Sequence, residues 1–148
     1  MPGSNSILIY LDTNVYSRPF DDQTQPDIQE EANAFLEIIR AVKAERLSLL
    51  CSDILMFEVY NILSEEKRAK VEDYLGLCTE HIDSSEAILR FGKRIESCCQ
   101  VRARDALHVA SAVLGEARYF LSCDKRAWFI SARFLVDKFS ASVSQKNS

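Results

Sequence analysis

Residues 6–22 read SILIYLDTNVYSRPFDD: apolar residues from Ile7 to Leu11 run straight into Asp12 and then into polar turn chemistry. Ile7 to Leu11 is rich in β-formers and has no polar face, the pattern of a short strand buried on both sides of a sheet. Such a strand is expected at the centre of a parallel sheet. In open α/β sheets ligands bind beyond the carboxyl ends of the strands, so Asp12 stands where chemistry is expected.

The rest of the chain alternates in the same way. Asp27 is expected to cap a helix running to about Glu45, with Ile28, Ala32, Phe35, Leu36, Ile39 and Val42 at helical spacing. RLSLLC (46–51) reads as a second strand, after which Ser52 or Asp53 caps a helix through about Ser64 and another runs from Glu65 to Leu77. Ser84 and Ser85 start a helix to about Ser97, RARDALHVASAVLGEA (102–117) holds one ending near Gly115, and YFLSC (119–123) reads as a third strand. Strands separated by helices imply parallel pairing through crossovers, hence an α/β fold with helices on both faces of the sheet.

The 148 residues suit one domain spanning 1–148 with a single core, removing about two thirds of the unfolded surface from water. The polar, Ser-rich ends, Met1 to Ser6 and Ser140 to Ser148, read as frayed, leaving about 7–139 ordered. The chain has no apolar stretch of the roughly 18 residues that span a bilayer and no signal-like start, so it is expected to be cytoplasmic, without a membrane partner. Five cysteines without C-x-x-C or zinc spacing read as reduced core thiols. A net charge of −4 argues against a broad basic nucleic-acid surface. Any nucleic-acid site must be local or must borrow positive charge from a metal.

Four acids invite that reading. Asp12 and Asp124 both follow strands directly and would meet if those strands are neighbours. Glu58 falls within the stripe formed by Ile54, Leu55, Val59, Ile62 and Leu63, so its carboxylate is aimed at the core. An ionised acid there is paired, neutralised or bound to a cation, with an Arg partner or a place at the stripe's rim as the plainer accounts. Asp105 lies in the first turn of a helix, where the macrodipole alone would favour it. Taken together, oxygen ligands without His or Cys suit Mg²⁺ or Mn²⁺, the ions of phosphoester hydrolysis.

IYLDTNVYSRPFD, SDILMFEVYNIL, RARDALHVASAV and YFLSCDKRAWF, in that order, resemble the four acidic motifs of PIN domains, the metal-dependent ribonuclease fold that includes the VapC-type toxins. The resemblance covers nearly the whole ordered chain. It implies a three-layer α/β/α sandwich with a mostly parallel central sheet, and an acidic metal cluster of Asp12, Glu58, Asp105 and Asp124. It also implies Mg²⁺ or Mn²⁺ dependence and cleavage of RNA to a 3′-hydroxyl and a 5′-phosphate. The partners implied are an RNA substrate, a second copy of the chain in a homodimer and, as in VapC-type members though not in many PIN proteins, an antitoxin. Asn14 matches a polar motif position that helps to order the metal site, and Ser122, where many relatives have Thr or Ser, reads either as a hydroxyl that orients a carboxylate or as a simple strand-end serine. Arg18, Arg102, Arg104, Lys125 and Arg126 lie beside the acids in sequence and are candidates to hold RNA phosphates. His108, one turn after Asp105, reads as helix packing or hydrogen bonding, and Trp128 and Phe129 as core cover or base-stacking groups.

The segment after Asp124 lacks the clear final strand of many relatives. Other acid-dependent folds fit less well. A phosphoaspartate hydrolase of the haloacid type would need an acid where Asn14 stands, and in a receiver domain the late lysine would not follow Asp124 directly. The alternatives within the same fold are a metal- or RNA-binding module without cleavage and a nuclease for structured DNA.

Overall fold

The computed structural model describes residues 5–124. β1 (Ile7–Leu11) leads into a short helix α1 (Thr13–Ser17), a 3₁₀ turn over Arg18–Phe20 and the long helix α2 (Pro26–Lys43). Then follow β2 (Leu47–Ser52), α3 (Asp53–Tyr60), α4 (Glu65–Leu75), β3 (Glu80–Ile82), α5 (Glu86–Cys99), α6 (Ala103–Leu114) and β4 (Tyr119–Leu121). The four strands pair in parallel in the order β3-β2-β1-β4, which puts β1 inside the sheet and β4 beside it, with Tyr10 opposite Phe120.

Both faces are covered, which is why β1 and β2 carry no alternation of polar and apolar residues. On one face Tyr10 and Leu50 pack with Ile88 and Ile95 of α5 and with Ala106, Val109, Ala110 and Val113 of α6. On the other, Ile9, Leu11, Leu49 and Cys51 meet Val15 and Tyr16 of α1, Phe35 and Ile39 of α2, Leu55 and Val59 of α3, and Val71 of α4. The result is the expected sandwich, with helices on both faces of a parallel sheet. A Cβ on Gly115 would lie 2.4 Å from Leu50 Cδ2 and 2.9 Å from Ser111 O, so the end of α6 approaches β2 as closely as glycine allows. No helix among the described residues is long and apolar enough to cross a membrane.

Several local expectations are corrected. The strand Glu80–Ile82 adds a fourth member to the sheet, and α1 is a helix where the sequence reads as turn chemistry. Pro26 opens α2 with Gln25 at the cap position, so Asp27 lies in the first turn, and Leu36 is 38% exposed. α3 stops at Tyr60, and Leu63, placed by sequence on its buried stripe, is 98% exposed because the helix that would have turned it inward has ended. Of the five free cysteines Cys51 is buried, but Cys98 is exposed on α5 rather than a core thiol.

Candidate active site

The parallel pairing carries Asp12 and Ser122 to one edge. Asp12 N–H donates to Leu121 O at 2.9 Å, continuing the β1–β4 ladder one step beyond the strands. The Asp12 carboxylate then accepts from Thr13 N–H at 2.7 Å through Oδ1 and from the Ser122 hydroxyl at 2.9 Å through Oδ2. Ser122 Oγ in turn accepts from Asn14 Nδ2 at 3.2 Å and from Asp124 N–H at 3.1 Å, while Asn14 Oδ1 accepts from Cys123 N–H at 3.1 Å. Asn14 and Ser122 thus tie the loop after β4 to the start of α1 and hold Asp12 in one orientation. Thr13 Oγ1, next to Asp12, is the only buried side-chain polar atom without a hydrogen-bond partner among the described residues.

Glu58 reaches this edge from α3, and His108 reaches it from α6. His108 is 1% exposed; its Nε2 contacts Glu58 Oε1 in a short hydrogen bond and lies 3.5 Å from Asp12 Oδ1. One ligand atom from each of Asp12, Glu58 and His108 falls within 4.8 Å of the others. The partner of Glu58 is therefore a histidine, where the sequence offered an arginine or the stripe's rim as the plainer accounts. Behind the ring, Tyr10 Oη sits 2.6 Å from His108 Nδ1 and 2.6 Å from Ser52 Oγ. Burial, and less strongly the charges of Asp12 and Glu58, raise the Tyr10 phenol well above its ordinary range, so it keeps its proton. Neither Tyr10 nor Ser52 stands out in the sequence as part of a site, although a tyrosine hydroxyl at a fully buried strand position demands a partner.

Asp105 is close enough to feel the same cluster. Its carboxyl is raised above the usual range, first by burial and then by the negative charges of Asp12 and Asp124, with His108 and Arg102 opposing more weakly. At the carboxyl edge of the parallel sheet the buried Asp12 and the half-buried Glu58 and Asp105 thus lie close together, and Asp105 is pushed up by its burial and by Asp12 and Asp124. That donor set fits a divalent cation, which would relieve the repulsion and hold several oxygens at once.

The candidate phosphate-binding cations separate into three groups. Arg102 and Arg104 are exposed at the start of α6, within a turn of Asp105. The Arg18 guanidinium is engaged with Glu31 and, at 3.1 Å, with Asp21, which also takes Lys67 Nζ at 2.8 Å. Lys125 and Arg126 lie outside the described residues, as do Trp128 and Phe129.

A sheet edge of this kind, with Asp12 just after β1, Glu58 on α3, Asp105 on α6 and Asp124 in the loop after β4, is an acidic site in an α/β protein. Residues 9–135 match the PIN domain, and the chain belongs to that family, whose members are generally nucleases. In fold it is similar to a chain in the crystal structure of VapBC2 from Rickettsia felis bound to a DNA fragment from their promoter. That likeness has a TM-score of 0.58 at 14% identity and covers 85% of this chain and 95% of the other. No curated protein matches the chain closely enough to count as a relative.

Proposed function

We propose that the protein is a Mg²⁺- or Mn²⁺-dependent endoribonuclease, and that it is the toxin of a toxin–antitoxin pair. The observation that carries the catalytic reading is the meeting of the Asp12 and Glu58 carboxylates with His108, ligand atoms within 4.8 Å of one another, beside an Asp105 raised by burial and by Asp12 and Asp124. Asp12, Glu58, Asp105 and Asp124 are assigned to the metal, which when bound supplies an activated water and neutralises charge on the phosphate under attack. Asp12 is fixed for this role by Thr13 N–H and the Ser122 hydroxyl, so its oxygens need little reorganisation. Asn14 and Ser122 keep that orientation. Arg102 and Arg104 are assigned to flanking RNA phosphates, with Lys125 and Arg126 after Asp124. Arg18 is left out of that set, because its charge is already paired with Glu31 and Asp21.

Similarity in fold to a chain of a VapBC complex supports an antitoxin partner. A homodimer is supported by the apolar surface of α3 and the turn after it, where Met56 is 51% exposed, Phe57 57% and Tyr60 74%. The test is cleavage of single-stranded RNA, duplex DNA and branched DNA with Mg²⁺, with Mn²⁺ and with excess chelator, alongside light scattering. Metal-dependent RNA cleavage by a dimer is expected. Cleavage undiminished by chelator would overturn the metal reading, preference for branched DNA would make the protein a structure-specific DNA nuclease, and metal binding without cleavage would make it a binding module.

A further inference from the structure

Three groups meet at the buried end of the carboxylate edge, and the histidine among them is the least accessible. The His108 side chain is 1% exposed against 8% for Asp12 and 18% for Glu58. Its ring is held from behind by a chain of hydroxyls that ends on the helix carrying Glu58. Ser52 Oγ accepts the Leu55 N–H at 3.2 Å and caps α3, Tyr10 Oη lies 2.6 Å from Ser52 Oγ, and His108 Nδ1 lies 2.6 Å from Tyr10 Oη.

Counting protons fixes which atom donates to Glu58. Each hydroxyl has one proton to give. If Ser52 donates to Tyr10 and Tyr10 donates to Nδ1, the ring proton is on Nε2 and points at Glu58 Oε1. The reverse order would leave a neutral ring's Nε2 lone pair against an ionised carboxylate, which is repulsive, and an imidazolium would again carry Nε2–H. Whenever Glu58 is ionised, Nε2–H is therefore the donor. Asp12 Oδ1, at 3.5 Å, is too far for an ordinary hydrogen bond to the same nitrogen, so Glu58 is the acceptor.

We propose that His108 is a positioning residue: Nε2–H holds one oxygen of Glu58, with Tyr10 and Ser52 holding the ring, so that the other oxygen is pre-set for the cation. Glu58 sits on an eight-residue helix that ends two residues later. Its flexible side chain would otherwise have to be ordered by the metal itself, at a cost in affinity. Groups that orient a metal ligand through a hydrogen bond change metal affinity by about 10–100-fold when removed. This inference rests on the carboxylate edge being the metal site.

The test is Mn²⁺ titration of the full chain by calorimetry without RNA, for the parent and for His108→Phe, His108→Gln, Tyr10→Phe and Asp12→Asn. His108→Phe keeps an aromatic ring in the core but has no donor, and should weaken Mn²⁺ binding by about 10–100-fold. His108→Gln offers an amide N–H in place of Nε2–H and should stay within about threefold of the parent, while Tyr10→Phe should fall between, because it frees the ring without removing the donor. A purely structural histidine would lower the melting temperature of both His108 variants and leave Mn²⁺ affinity alone. A folded His108→Phe that binds like the parent, or a Gln variant no better than Phe, overturns the proposal. Should His108→Phe not fold, unchanged affinity in Tyr10→Phe overturns it. Directly coordinated nitrogen in the spin-echo spectrum of bound Mn²⁺ would make His108 a ligand and also overturn it. A parent that binds no Mn²⁺ overturns the metal reading and this inference with it. Binding lost in Asp12→Asn but intact in folded His108→Phe overturns the inference alone.

Discussion

Among the described residues are two groups in which a histidine stands between two acids, and they are built almost alike. At the buried one His108 Nε2 bonds Glu58 and lies 3.5 Å from Asp12; at the other, His81 Nε2 bonds Asp53 at 2.7 Å and lies 3.4 Å from Asp83. Their surroundings differ. Asp83 is 89% exposed and Asp53 44%, and the second oxygen of Asp53 accepts the Ser84 N–H at 2.7 Å. Those bonds, the Ser84 N–H first and His81 second, hold the Asp53 carboxyl below its ordinary range. Asp105, beside the buried group, is pushed the other way by burial and by Asp12 and Asp124. Residue types at ligand spacing are common to both places. What separates them is burial: in solvent the bonds to Asp53 hold its carboxyl down, whereas beside the buried group desolvation and the charges of Asp12 and Asp124 push Asp105 up.

The largest expected difference is in activity. Asp12→Asn should reduce Mn²⁺-dependent RNA cleavage by more than about a hundredfold, since on the proposed function it removes, at nearly constant shape, a ligand of the metal that would supply the nucleophile. Asp53→Asn should leave cleavage within about twofold. Parallel assays of the two variants at saturating Mn²⁺ check the contrast, and equal losses would mean that the exposed group takes part in the reaction.

Metal binding gives the next largest separation. At a hundred times Kd, Mn²⁺ should stabilise the parent by about 2.7 kcal/mol. Thermal melts should show the same gain in Asp53→Asn and much less in Asp105→Asn. If Mn²⁺ raised the parent and Asp105→Asn equally, Asp105 would be a structural acid.

The sequence shows the sheet edge more clearly than it shows the contents of the edge. β1 and β2 are apolar runs legible as strands buried on both faces, but without alternation they carry no register signal, and only the structure pairs Ile7 with Leu47 and Ile9 with Tyr119. The adjacency of Asp12 and the loop after β4 then follows from strand order. β3 is invisible because its three residues, Glu80, His81 and Ile82, lie at the rim with no apolar pattern to mark them. α1 is hidden because five residues of mixed polarity carry little periodic signal; Asp12 itself caps it. The inward aim of Glu58 can be read from helical spacing, but its partner cannot, because His108 comes from a different helix fifty residues away. Tyr10 and Ser52 pass as core and cap residues until the ring of His108 is placed between Tyr10 and Glu58.

A sign, rather than a magnitude, separates the two groups in the metal-free protein. Asp105→Asn removes one of several repelling charges and should leave the protein as stable as the parent or more so. The sign follows from linkage: a carboxyl raised in the folded state contributes stability that is complete below its unfolded value, about 3.9, and lost as pH rises through the folded value. At neutral pH that contribution is gone, so the amide gives up nothing there, and the parent's advantage should emerge only on acidification.

Asp53→Asn should show the opposite and smallest effect. A carboxyl lowered in the folded state contributes stability above about pH 3.9 that is lost as pH falls through the lower folded value. Asp53 is well exposed, so solvent screening keeps the loss on substitution to about 0.5 kcal/mol, as for an exposed ion pair. The Ser84 N–H would still find an acceptor in the Asn side-chain oxygen, which limits the loss further. Denaturant melts with chelator present, at pH 7 and below pH 3, should show the Asp53→Asn deficit shrinking with acid while the Asp105→Asn protein moves from parity or better toward a deficit. Deficits of the same sign in both variants at pH 7 would mean that the carboxylates of the buried edge are satisfied in the way Asp53 is, and that the edge holds no excess charge for a cation to relieve.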